Sequence, residues 1–405
     1  MLGALARGES RLAQDVWGGW QQLQGRQVIV THQARIAIAL ALHRWGVGSG
    51  DEVLVPAYNC GTDIDPVIKS GAIARPYRVG SDLRLDLAEI RRLITPRTRV
   101  VYVIHYFGWP QELSELRRFC DETGIRLLED CALALYSRQA SPAHVMEGWL
   151  GQVGDGAVFS LPKTLGVPDG GVLSLKKPLE SAGRAEKSPG SRRIFRKSLP
   201  LAKRFILRRT AGIGLYKCFG RRVRSVSETV PAAAGSLRPD IPADYYYDVA
   251  TTNWSMSRLT QGLLRCVRPD EIIQRRRHNY LQLLNLIRDL PGVAPLFPDL
   301  PDGVCPIGLP ILVSQRSSWE RQLSARNIDV YAWWSGYHSG IDWDQFPEAC
   351  RLKDQVMLLP IHQQLNDLDM KYIGSQVALI ANARANISVA ASDSSQRVAG
   401  PLHAA

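Results

Sequence analysis

The chain has 405 residues, 45% of them apolar, a length that calls for more than one lobe around a large core. No apolar run reaches membrane-spanning length, and Met1 to Gln24 mixes charge, Gly and Gln in the manner of a surface helix and not of a leader. The formal charge of +12 is concentrated: Lys176 to Arg224 holds sixteen Lys/Arg against two Glu, which leaves 34 basic and 36 acidic residues, a charge of −2, for everything else. The seven cysteines are odd in number and scattered, with no Cys-x-x-Cys pair, so reduced thiols in a cytoplasmic protein are expected and a zinc site is not.

Taken in order, the first half alternates strand and helix. Val28 to Val30 reads as a strand and Gln33 to Trp45 as a helix with Ile36, Leu40 and Leu42 on its apolar side. Gly46 to Gly50 follows a helix and precedes a strand, the wrong order for a dinucleotide loop, so it reads as a helix stop. Strands are expected at 52–55, 72–77, 99–105 and 125–129, with helices at 63–70, 87–93 and 112–123 between them. Residues 157–161 and 172–175 look like a hairpin pair. This alternation predicts an α/β protein with a mixed, mostly parallel sheet and a site at the strands' C-terminal ends. A basic insertion at 176–245 interrupts the order. Helices then follow at 258–268 and 269–289. A small α/β lobe runs to a helix at 369–381, and residues 383–405 read as a polar tail. The expected organisation is a large domain over 1–262, a small domain over 263–382 and the tail.

Two residues carry the chemistry. Asp130 closes an apolar run, and Lys163 sits in the segment Phe159-Ser-Leu-Pro-Lys-Thr-Leu-Gly-Val-Pro-Asp-Gly-Gly171. Pyridoxal phosphate (PLP) requires such a pair. A Lys amine forms a Schiff base with its aldehyde, and a carboxylate keeps the pyridine nitrogen protonated so that the ring accepts electrons. Taken singly, an Asp after a strand is usually a cap and a loop Lys is usually solvated surface.

The order of several segments resembles the DegT/StrS-type sugar aminotransferases, a family of fold-type-I PLP-dependent enzymes. The matching stretches are Gly50-Asp-Glu-Val-Leu-Val-Pro56, Thr95-Pro-Arg-Thr98, His105-Tyr-Phe-Gly108-Trp-Pro110, Leu128-Glu-Asp-Cys131, Gly154 to Ser160, the Lys163 loop, Asn253 to Ser257 and Leu358 to His362. The resemblance covers about residues 28–380 apart from the basic insertion. It implies a homodimer with active sites at the subunit interface and PLP linked to Lys163, with Asp130 on the ring nitrogen. Ser160 and the Ala34-Arg35 turn would hold the phosphate, and Asn253 would reach the phosphate of the partner subunit. The implied reaction moves an amino group, usually from glutamate, to a keto group of a nucleotide-linked sugar, as in surface-polysaccharide or related amino-sugar biosynthesis. Departures from the family pattern fall at Ala34-Arg35, Cys60, Leu133, Leu135 and Ser255 and in a shorter spacing from Ser160 to Lys163, which together imply a rebuilt substrate pocket. They keep two alternatives open: a PLP-dependent sugar dehydratase, against which the presence of Lys163 counts, and a non-catalytic binding or regulatory protein.

Several residues carry two readings. Ser160 is either a phosphate ligand or a strand-end Ser, and His105 either catalytic or a hydrogen-bonded turn residue. Arg35 is either a phosphate clamp or an ordinary helix Arg. Trp333, Trp334, Tyr337 and His338 either line a cleft or pack the domains. The insertion at 176–224 is a solvated surface or a segment for an anionic membrane face, since Ile194, Phe195, Phe205 and Leu207 interleave with its charges. It has no recognised nucleic-acid module.

Overall fold

In a computed structural model of the chain, the described residues are 20–139, 148–177, 187–210 and 238–398. The side chains of 201–210 and 387–398 are not described. The main sheet has seven strands: β1 (Gln27–Thr31), β2 (Glu52–Pro56), β3 (Ile73–Tyr77), β4 (Thr98–Ile104), β5 (Arg126–Asp130), β8 (Gly156–Ser160) and β9 (Gly171–Leu175). Between β5 and β8 a minor ribbon pairs β6 (Arg138–Gln139) with β7 (Gly148–Trp149). The sheet order is β1-β9-β8-β5-β4-β2-β3. Strands β3, β2, β4, β5 and β8 run parallel, while β9 is antiparallel to both β8 and β1. The expected hairpin pair is therefore present, and the sheet is mixed and mostly parallel.

Burial explains the strand composition. All five residues of β2 and all five of β9 are buried, and so is every residue of β4 except Arg99, which suits its Val/Ile-rich sequence. The helix Ala34–Arg44 buries Ile36, Ala37, Ile38, Leu40, Ala41 and Leu42 against the sheet. A second sheet, in the order β10 (Val293–Pro295), β11 (Leu309–Val313), β13 (Val356–Leu359) and β12 (Tyr331–Ala332), is wholly antiparallel and forms the smaller lobe. The helices Pro269–Ile287 and Asp367–Val398 pack beside it.

Three details differ from the sequence reading. The segment before β1 is not surface where it is described: Trp20, Gln22 and Leu23 are buried. Gln22 Nε2 donates to the carbonyls of Ala134, Ser137 and Leu150 at 3.1–3.2 Å, contacts that no local periodicity reveals. The last helix continues through Val398, past the expected start of the tail, because residues 383–398 contain no Gly or Pro to stop it. Within the basic insertion, Ser191–Thr210 is a helix with Pro200 inside, and most of the remainder of that segment lies outside the described residues. No helix among the described residues is long and apolar enough to cross a membrane.

Candidate active site

The parallel strands end on a common edge, where the chain must turn and where free backbone groups and side chains converge. Asp130 is the last residue of β5 and is only 7% exposed. Its Oδ2 accepts a hydrogen bond from the Tyr102 hydroxyl of β4 at 2.5 Å, and its Oδ1 accepts one from the Ala132 amide at 2.7 Å. Burial, and next the Asp130 charge, push the Tyr102 phenol well up, so it stays a donor. A carboxylate can accept about four hydrogen bonds, so Asp130 retains room for a ring N–H.

Lys163 lies in a one-turn helix, Leu161–Thr164, that directly follows β8. The turn is clamped from the small lobe. Arg276, buried on the helix Pro269–Ile287, donates to the Thr164 carbonyl at 3.0 Å and to the carbonyls of Pro306 and Ile307, while Gln363 also donates to Thr164 at 3.0 Å. The Lys163 Nζ sits 5.9 Å from the centre of the Trp333 ring. Lys163 and Asp130 both act electrostatically on Cys60 and on Asp63, so the four groups lie near one another at this edge.

The phosphate end of such a site is also recognisable. Ser160 pairs with Gly171 across β8 and β9, and its hydroxyl does not cap its own helix. A Cβ on Gly171 would lie 2.3 Å from the Gln33 carbonyl carbon and 2.5 Å from the Ala34 nitrogen, so only glycine permits this approach. Gly171 therefore brings Ser160 to the first turn of the helix Ala34–Arg44, whose leading amides have no helical acceptor. The Arg35 guanidinium is engaged elsewhere: it donates to the carbonyls of Asp244, Tyr245 and Tyr246 at 2.5–3.1 Å. What Arg35 offers an anion is its backbone N–H. These features, with the buried Asp130 and the Lys163 turn, offer the amine, carboxylate and amide donors that PLP would need.

Asn253 is exposed, and its carbonyl accepts the Lys187 amide at 3.0 Å. Its neighbour Trp254 accepts the His32 amide at 2.8 Å, so the segment lies beside the turn before Ala34. A buried network missed in the sequence fastens it there. Asp169 pairs with His32 Nδ1 at 2.8 Å and accepts the Ser257 hydroxyl at 2.6 Å. The Val167-Pro-Asp-Gly170 run was the available signal, because a buried Asp in a Gly-flanked loop needs donors.

Other residues resolve toward packing. His105 accepts the Gln111 amide on Nδ1 and faces Glu129 through Nε2 at 3.0 Å, as a hydrogen-bonded turn residue does. His105, Glu129 and Cys131 lie close enough to hold a metal, yet both His105 nitrogens are committed. Tyr58 donates to the Trp333 carbonyl and packs 5.1 Å from Trp334, and Tyr337 donates to Asp354 at 2.8 Å. Of the aromatic group at 333–338, Trp333 alone is recorded against Lys163. Leu133 is buried in the core. Two clefts of about 590 and 450 Å³ open around Arg275 and Asp367 and around Arg138 and Arg277; Gln363 borders the first, and neither is lined by Lys163 or Asp130.

Residues 21–193 match the profile of the DegT/DnrJ/EryC1/StrS aminotransferase family. This stretch contains the strand ends, Asp130, Ser160 and Lys163 just described. Residues 21–193 are a domain of that family. The chain is 26% identical over 365 residues to dTDP-4-dehydro-2,3,6-trideoxy-D-glucose 4-aminotransferase of Saccharopolyspora spinosa, covering 86% of this chain and 83% of that protein. It is 28% identical over 154 residues to GDP-perosamine synthase of Vibrio cholerae. That match covers 37% of this chain and spans about two fifths of the relative, 40% of its length. A sugar aminotransferase of Streptococcus pneumoniae, solved in its PLP form, superposes with a TM-score of 0.61 at 18% identity over 93% of this chain and 90% of that one. The fold is therefore that of these PLP-dependent sugar aminotransferases, with the seven-stranded sheet as the large lobe and the antiparallel sheet as the small one.

Proposed function

We propose that the chain is a PLP-dependent aminotransferase that transfers an amino group, with glutamate the expected donor, to a keto group of a nucleotide-linked sugar. The observation that supports this reading is that Asp130 ends β5 and Lys163 follows β8, neighbouring parallel strands, in a stretch that matches this family. The relatives act on dTDP- and GDP-linked sugars by name, which supports the substrate class. When bound, PLP supplies an electron sink for the carbanion formed as the substrate's Cα proton leaves.

The protein's own residues do the rest. Lys163 would anchor the aldehyde and, once displaced by the donor amine, shuttle the proton from Cα. Its position is fixed by Arg276 and Gln363 through the Thr164 carbonyl. Asp130, held by Tyr102 and Ala132, would keep the ring nitrogen protonated. Ser160 and the amides of Ala34 and Arg35 would hold the phosphate. In a homodimer, the exposed Asn253 would meet the phosphate of the neighbouring subunit, so mixing inactive Lys163→Ala and Asn253→Ala subunits should restore activity, whereas a monomer would end the shared-site idea.

The reading extends to location at a cytoplasmic membrane face. On the helix Ser191–Thr210, Ile194 is buried while Arg192, Phe195, Arg196 and Leu199 are exposed at i, i+3, i+4 and i+7 spacing. Phe195 is 65% and Leu199 55% exposed. A stripe of two cations and two large apolar groups suits an anionic lipid surface. The enzymatic reading is tested by incubating the protein with PLP, glutamate and keto-sugar nucleotides. Glutamate-dependent amino-sugar formation supports it, and a protein that binds PLP yet aminates none of them favours the non-catalytic alternative.

A further inference from the structure

The loop after β2 carries a carboxyl group that the functional reading leaves unused. Asp63 is 3% exposed. Its Oδ1 accepts the Cys60 thiol at 3.5 Å, and its Oδ2 is buried with no hydrogen-bond partner among the described residues. A buried carboxylate oxygen without a donor is costly, and such groups are retained where a ligand or a proton completes them.

The groups around Asp63 come from every element packed against it. They are Cys60 on its own loop, Tyr102 and Tyr106 at the end of β4, Asp130 at the end of β5, Lys163 after β8 and Lys353 on the helix Pro347–Gln355. Three of these donors are already employed, and the fourth, Lys163, is the residue read as the PLP anchor. Tyr102 donates to Asp130 at 2.5 Å and Tyr106 to the Tyr58 carbonyl at 2.6 Å. Lys353 donates to the carbonyls of Asn59 and Gly336 at 2.6 and 2.8 Å. The contrast with Asp130 is direct: of two neighbouring acids, the chain gives each oxygen of Asp130 a donor, while Asp63 Oδ2 has no hydrogen-bond partner among the described residues and Oδ1 has a thiol at 3.5 Å.

We propose that Asp63 is a further binding residue of this site, its bare oxygen accepting a hydrogen bond from a hydroxyl or amino group of the ligand held at Lys163. This rests on the reading of Lys163 as the PLP-linked residue. Burial first, and the Asp130 charge next, push the Asp63 carboxyl up to about 6. Its charge therefore changes within the range in which a bound chromophore can be followed.

The test is the visible absorbance of PLP-loaded protein titrated between pH 5 and 8, for the wild type, Asp63→Asn and Asp63→Glu. The expected result is an inflection near pH 6 in the wild type that is lost in Asp63→Asn and kept, shifted, in Asp63→Glu. If Asp63→Asn does not fold, Asp63→Ser is read in the same way. A visible band whose pH dependence is identical in wild type and Asn variant, or a wild type with no inflection, overturns the role of Asp63 and leaves Lys163 standing. Absence of any visible band in the wild type overturns the Lys163 reading and this one with it.

Discussion

Two strand ends reach the same pocket and are furnished in opposite ways. At the end of β5, Asp130 accepts hydrogen bonds from a phenol and a backbone amide, so both of its oxygens have donors within the protein. In the loop after β2, Asp63 has a thiol at 3.5 Å and one oxygen with no partner among the described residues. On the function proposed above, the difference separates the acid that would serve the cofactor from the one that would serve the ligand held beside it. The first is stabilised from within the protein, and the second waits for something from outside.

The largest effect should come from Asp130→Asn. A neutral amide cannot hold a proton on the ring, so turnover should fall roughly a hundredfold or more while the variant still takes up PLP. Steady-state rates beside the visible spectrum check this, and a variant with wild-type turnover would break the contrast at its stronger side.

Asp63→Asn should act in the opposite sense, on stability. The carboxyl is raised in the folded protein to about 6 from an ordinary 3.8. The unfolded chain thus ionises first as pH rises, stability is lost between about pH 4 and 6, and the full cost of about 3 kcal/mol applies above that. Denaturant unfolding of PLP-free protein should show the Asn variant gaining more at pH 8 than at pH 5. An equal gain at both would mean that Asp63 carries no buried charge.

Tyr102→Phe removes one of the two donors to Asp130 and leaves the packing, so a fall of about tenfold in turnover is expected, with rescue by no other side chain in β4. An unchanged rate would show that the Ala132 amide alone suffices. The smallest effect concerns a region far from both acids. Arg192→Glu with Arg196→Glu should weaken flotation with anionic vesicles by about 1 kcal/mol per residue and leave turnover untouched. Equal recovery with neutral and anionic lipid would make the helix a solvated surface.

Much of this was legible in the sequence. The alternation of apolar runs with amphipathic segments located every large strand of the main sheet to within a residue or two, because strands buried on both faces admit little but Val, Ile and Leu. Lys163 and Asp130 could be singled out as candidates because Asp130 ends an apolar run, which forms β5, and Lys163 sits in a Gly-flanked segment, which turns directly after β8. What could not be read depends on contacts between distant segments. Gln22 meets carbonyls more than a hundred residues away, Arg276 clamps Thr164 across the lobes, and Asp169 gathers His32 and Ser257. Asp63 was invisible for a related reason. In sequence it precedes a short helix like any capping residue, and only the structure shows that its oxygen is buried beside Lys163 and Asp130 and caps nothing.

The central claim is that Lys163 is the residue that holds PLP. It is tested most directly by borohydride reduction of the PLP-loaded protein followed by peptide mapping. The account predicts one modified peptide spanning Phe159 to Gly171, with the added mass on Lys163 and none in Lys163→Ala. A reduced adduct on another lysine, the buried Lys353 included, or one that persists in Lys163→Ala, would contradict it.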